Sequence, residues 1–157
     1  MSKLFALDCD SFKIAIAIFE NGKLEETVVI SADKKLDSSK RGFELFTKFN
    51  NFLEKAYPDI VVTERSLYNQ NFVSSRIITE IIAYCKLACQ QKGIQFNQVY
   101  VSSWKKGATG KGNASKAEVK EAVLKEFPQF SEITYDESDA CGIGMHYLKI
   151  IDDNEKA

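Results

Sequence analysis

Four carboxylates stand where the chain has little local use for them. Asp8 closes the apolar run Leu4–Leu7, and Glu64 closes the run Ile60–Thr63. Both runs read as strands deep in a sheet. A charge there costs on the order of several kcal/mol unless it is paired or bound to a metal. Asp136 and Asp139 are three apart at the start of a helix, so they share a face. Hard oxygen donors suit Mg²⁺ or Mn²⁺ rather than zinc. Two such ions roughly 3.5–4 Å apart flank a phosphodiester, one generating the hydroxide and the other stabilising the leaving oxygen. That chemistry requires no His base, and His146 is the one histidine. Asp136 taken alone is also what the helix dipole favours at an N-terminus; Asp8 and Glu64 have no such local reason. Asp10 would point the same way as Asp8 on a continuing strand, but Asp10-Ser11 reads as a turn that leaves Asp10 peripheral.

The formal net charge of −1 hides a segregation. Between Ser102 and Lys125 stand six lysines (105, 106, 111, 116, 120, 125) against Glu118 and Glu121. Between Glu132 and Ala157 stand seven acids against Lys149 and Lys156. Solvated helix faces are the ordinary explanation of charge runs; a polyanion groove beside a cation site is the sharper one. The stretch Gly107–Gly112 superficially suggests a phosphate-binding loop, but no Gly-x-x-x-x-Gly-Lys-Ser/Thr can be read there.

The elements that must position these residues follow from patterning. The 157 residues, 45% apolar and 11% aromatic, are enough for one domain, 1–157, with a proper core. That aromatic content excludes a disordered chain, and 8 Gly and 2 Pro exclude collagen-like and low-complexity classes. No apolar run approaches the roughly 18 residues that cross a bilayer, and the opening MSKLFALDCD does not read as a secretory signal. Cys9, Cys85, Cys89 and Cys141 form no C-x-x-C, which points to reduced, buried thiols and a cytoplasmic chain.

Leu4–Leu7, Ile14–Phe19 and Thr27–Ile30 predict an antiparallel meander, with Asn21-Gly22 as a hairpin turn. Ser38 or Ser39 caps a helix whose Phe43, Phe46, Phe49, Leu53 and Ala56 make one apolar stripe, ended by Pro58. A buried strand over Ile60–Thr63, a helix over Asn71–Gln91, a strand over Phe96–Val101 and a Lys- and Gly-rich loop over Ser102–Asn113 follow. Helices from Ser115 to about Glu126 and from Asp136 to about Ile151 finish the chain. Strands alternating with helices after a meander imply an α/β fold, a five-stranded mixed sheet flanked by helices in the order βββαβαβα.

Four segments now read together: Leu7-Asp8-Cys9-Asp10-Ser11, Val61-Val62-Thr63-Glu64, the Lys- and Gly-rich run Lys105 to Lys116, and Asp136-Glu137-Ser138-Asp139-Ala140. In this order and spacing, over nearly the whole chain, they resemble the signature of the RuvC family of Holliday junction resolvases, within the ribonuclease H-like fold. Cys9 stands where the family usually has Pro, and Asp10 where it usually has Gly. The aromatic that members carry just after the Glu falls near Leu67-Tyr68.

The resemblance implies a Mg²⁺-dependent endonuclease, with Mn²⁺ able to substitute. Two ions per site would be held by Asp8, Glu64, Asp136 and Asp139. It implies a homodimer that nicks opposed strands of a four-way DNA junction symmetrically, matching the two-fold symmetry of the substrate. The Asn71–Gln91 helix competes between a dimer role and burial within the protomer. Lys105 and Lys116 match the family's basic positions, and Lys111 joins them by charge; such contacts to backbone phosphates position DNA without reading its sequence. Tyr68 and Arg76 complete the expected DNA-binding set. Phe72 could stack on a base, although core packing is its favoured reading. Other members of the fold cleave other branched DNA or RNA–DNA hybrids, and a non-catalytic junction-binding module is the alternative of a different class.

Overall fold

A computed structural model describes residues 3–65 and 72–156. The chain opens with three strands, β1 (Lys3–Cys9), β2 (Lys13–Glu20) and β3 (Lys23–Ser31), paired antiparallel. Asn21 and Gly22 both adopt positive φ, 52° and 80°. This pair of left-handed residues matches the twist of a tight hairpin, which explains the Asn-Gly choice. Helix α1 (Ser38–Lys55) is capped by Asp37, whose side chain accepts from the Lys40 N–H, rather than by Ser38 or Ser39. Strand β4 (Ile60–Glu64), helix α2 (Phe72–Gln91) and strand β5 (Gln95–Val99) follow, and the sheet order is β3-β2-β1-β4-β5 with β4 and β5 parallel to β1. The expected α2 start at Asn71 lies outside the described residues.

After β5 the structure departs from the expected order. Three helices close the chain instead of the two expected: α3 (Val101–Thr109) is added before α4 (Lys116–Glu126) and α5 (Tyr135–Lys156). The segment expected to be a loop over Ser102–Asn113 is helical up to Thr109, and β5 stops at Val99. Trp104 is fully buried and Ala108 packs against the same core, so two apolar residues four apart carry a helical face through a Lys-rich run. Gly110, at φ +85°, is the left-handed cap that ends α3, not a sign of a flexible loop.

Strand alternation divides the sheet into two faces. Phe5, Leu7, Ile14, Ile16 and Val61 pack with α1 and α2, whereas Leu4, Ala6, Ala15, Ala17 and Val62 pack with α3, α4 and α5. The second face is built from small residues where α5 crosses it. A Cβ on Gly144 would lie 2.2 Å from Phe19 Cε2, so only glycine lets α5 approach the sheet this closely.

Helix α2 buries Ile81, Ile82, Cys85, Ala88 and Cys89 within the protomer and exposes Phe72, Val73 and Leu87. Phe72, expected in the core, is 60% exposed. Cys85, Cys89 and Cys141 are buried and Cys9 is half-buried; all four are free thiols. No helix among the described residues is long and apolar enough to cross a membrane.

Candidate active site

Asp8 follows Ala6 by two residues on β1, and Glu64 follows Val62 by two on β4, so both carboxylates fall on the α3–α5 side of the sheet. The parallel register pairs Leu7 with Thr63, which sets Asp8 beside Glu64 at the carboxyl ends of the two central strands. Asp136 and Asp139 arrive on the first turns of α5 above the same edge. Glu137 between them is diverted. Its carboxylate accepts from the Thr134 N–H at 3.0 Å while its own N–H donates to Thr134 Oγ1, and it also bonds the Thr27 hydroxyl of β3. That arrangement caps α5 and ties it to the sheet.

The four expected acids line one cleft of about 300 Å³ with Trp104, Lys105 and Lys116. Trp104 Nε1–H donates to Glu64 Oε2 at 2.7 Å. Lys116, on the first turn of α4, reaches Asp139 Oδ2 at 3.1 Å. Ser115 and Glu118 fix that turn through a reciprocal capping box. Lys13 of β2 pairs with Asp136.

Burial, followed by the negative charges of Asp139, Glu64 and Asp136, raises the Asp8 carboxyl well above its ordinary value. Burial likewise raises Glu64, against the pull of the Trp104 hydrogen bond, and raises Asp139 against the nearby Lys116. Burial disfavours the Lys116 ammonium, yet Asp139, Asp8 and Asp136 together hold it above its ordinary value.

The donor chemistry fits a hard divalent cation. Among the described residues Asp139 Oδ1 is buried without a hydrogen-bond partner, and the Asp8, Glu64 and Asp139 carboxyls are raised by desolvation and by neighbouring carboxylates, strain that a bound cation relieves. The acids line the cleft without closing it: among the described residues no group of three His, Cys, Asp or Glu side chains converges tightly enough to enclose an ion.

The remaining expected contacts divide. Lys105 lines the cleft, with its Nζ 5.9 Å from the Trp104 ring centre. Lys111 lies outside the cleft and pairs with Glu118 at 3.3 Å. Arg76 sits on an exposed face of α2, the helix that also sends Ile78 to the cleft wall. Tyr68 lies outside the described residues. Asp10 forms the expected turn, accepting from the Ser11 N–H, but it also lines the cleft and so is not peripheral. Lys13 and Trp104 were not visible as site residues in the sequence. The one available signal was that a lone Trp beside Lys105 sits in an otherwise polar run.

The model of the family described as crossover junction endodeoxyribonuclease RuvC matches residues 14–147. The chain belongs to the RuvC family. The matched span includes Glu64, Asp136 and Asp139 and begins just after Asp8. A RuvC from Treponema denticola is 31% identical over 121 residues, 73% of this chain and 68% of that one. A RuvC from Bdellovibrio bacteriovorus is 29% identical over 132 residues, 81% and 77% of the two chains. Thermus thermophilus RuvC, solved in complex with Holliday junction substrate, superposes with a TM-score of 0.83 at 14% identity, covering 96% of this chain and 95% of that one. The sheet order and flanking helices are thus those of the ribonuclease H-like fold as RuvC carries it.

Proposed function

We propose that this chain is a metal-dependent endonuclease that resolves four-way DNA junctions. The observation that carries the reading is one cleft lined by four carboxylates from β1, β4 and α5 and bordered by lysines from α3 and α4. Carboxylates concentrated beside phosphates repel a polyanion unless cations intervene, so a mere DNA-binding module gains nothing from them. Asp8, Glu64, Asp136 and Asp139 are the residues that would hold Mg²⁺ or Mn²⁺, two ions per site. Bound there, the ions supply Lewis-acid stabilisation of the phosphate and activation of the attacking water.

The protein's own groups do the rest. Strands β1 and β4 hold Asp8 and Glu64 on rigid backbone, and α5 brings Asp136 and Asp139 as a pair from one helical face. Lys105 and Lys116 set the scissile strand by attraction to phosphate oxygens on either side of the acids. Arg76, near the start of α2, extends that contact together with Tyr68, which lies outside the described residues, and Lys111 serves as an outlying basic group. Residues 1–157 act as a single nuclease domain in the cytoplasm. Two copies, related by the dyad of the junction, deliver paired nicks.

The test is a gel assay with a synthetic four-way junction and Mg²⁺. Asp8→Asn, Glu64→Gln, Asp136→Asn and Asp139→Asn are expected to keep junction binding and lose nicking. Variants that nick as fast as wild type overturn the site. Duplex, flap and RNA–DNA hybrid run in parallel define the substrate; a hybrid cut faster than the junction overturns the junction reading.

A further inference from the structure

We propose that Trp104 is a positioning residue for Glu64, its indole N–H fixing which carboxylate oxygen is offered to the cleft. The inference rests on reading Glu64 as a cation ligand. Trp104 is 1% exposed, and its Nε1–H donates to Glu64 Oε2 at 2.7 Å. An indole N–H donates and never accepts, so this contact can only hold Glu64 by an acceptor oxygen. It commits Oε2 and leaves Oε1 as the ligand oxygen.

The donor is itself immobilised. A Cβ on Gly142 of α5 would lie 2.8 Å from Trp104 Cζ3, so the ring is seated against the bare backbone of the helix that carries Asp136 and Asp139. Ala114 and Val119 belong to the same buried cluster. A glutamate at a strand end, with like charges on Asp8 and Asp139 beside it, would otherwise turn its carboxylate away from them. Trp104 opposes that rotation and ties Glu64, by way of Gly142, to the helix bearing the other two acids.

Trp104 is the chain's one tryptophan, so tryptophan emission reports on the surroundings of this ring alone. The experiment uses the full chain without DNA and titrates Mg²⁺ by calorimetry and by tryptophan fluorescence. The emission is expected to shift over the concentration range in which calorimetry detects binding, and Glu64→Gln is expected to abolish the shift. Trp104→Phe keeps the aromatic volume and removes the N–H. It is expected to bind Mg²⁺ about 10-fold more weakly, to keep its junction Kd, and to lose kcat rather than raise KM. A Trp104→Phe protein with unchanged Mg²⁺ affinity and kcat overturns the positioning role alone. So does a wild-type emission indifferent to Mg²⁺ that calorimetry shows to bind, a result that needs no Trp variant to fold. A wild type that binds no Mg²⁺ overturns the cation reading and this inference with it.

Discussion

Asp8 is held in its site against its own electrostatics. Its carboxyl is raised by burial and by Asp139, Glu64 and Asp136, so the folded state binds that proton more tightly than the unfolded chain does. The sign follows: stability is full below the unfolded value of about 3.9 and declines as pH rises towards the folded one. Asp8→Asn removes this loss. At pH 7–8 in chelator the variant should melt higher than wild type, by ~2–4 °C for each kcal/mol relieved, while nicking nothing. Added Mg²⁺ should narrow the gap, because it binds the folded wild type more tightly. An equal or lower melting temperature in chelator contradicts the electrostatic account.

The thiols carry a second residue-level expectation. Burial pushes Cys89 and Cys141 up to about 12, and the contact with Cys9 together with burial raises Cys85 well above its ordinary value. In the native protein at pH 8, an alkylating reagent followed by mass spectrometry should leave these three unmodified; rapid labelling of Cys141 would contradict its burial. Asp8 and Glu64 were legible in the sequence because a charge at the end of an apolar run has no local excuse. Lys13 and Trp104 were not, because each meets its carboxylate only through a contact between elements distant in sequence.

At the scale of elements, the site depends on how closely α5 lies on the sheet. Gly144→Ala would set a methyl group 2.2 Å from Phe19 Cε2. Overpacking of that kind should cost about 1–3 kcal/mol, measured by urea unfolding, with nicking reduced because Asp136 and Asp139 move with the helix. A variant as stable as wild type would mean that the contact yields without cost. The meander, α1, β4 and α4 were readable from periodicity and turn residues. Helix α3 was not: lysines and glycines give Val101–Thr109 the composition of a loop, while its helical face is carried by Trp104 and Ala108. Composition describes what a segment shows to water, and here the buried side was too narrow to outweigh it.

For the molecule as a whole, the near-neutral total charge conceals the polarity that matters. Lysines 105 and 116 border the acidic cleft from α3 and α4. Junction affinity should therefore fall steeply with salt, log Kd against log salt rising by about 0.9 for each phosphate neutralised. Lys105→Ala or Lys116→Ala should each lower that slope by roughly 1, whereas Lys111→Ala, paired with Glu118 outside the cleft, should change it less. Equal effects of the three would spread the interface beyond the cleft. The mixed sheet and its class were legible because the strand–helix alternation is strong. The sharing of one basic segment between cleft and periphery was not, since it is decided by where α3 stops and α4 starts.

The alternation of side chains along β1 and β4 has a consequence for how such a chain can vary over time. Asp8 and Glu64 share a face because each lies an even number of steps from Ala6 and Val62. One residue inserted into either strand would send its carboxylate into the oily layer beneath α1 and α2, and no substitution elsewhere would bring it back. Related chains should therefore differ in length at hairpin tips and interhelical joints, while the count from strand core to acid is inherited as strictly as the acid itself.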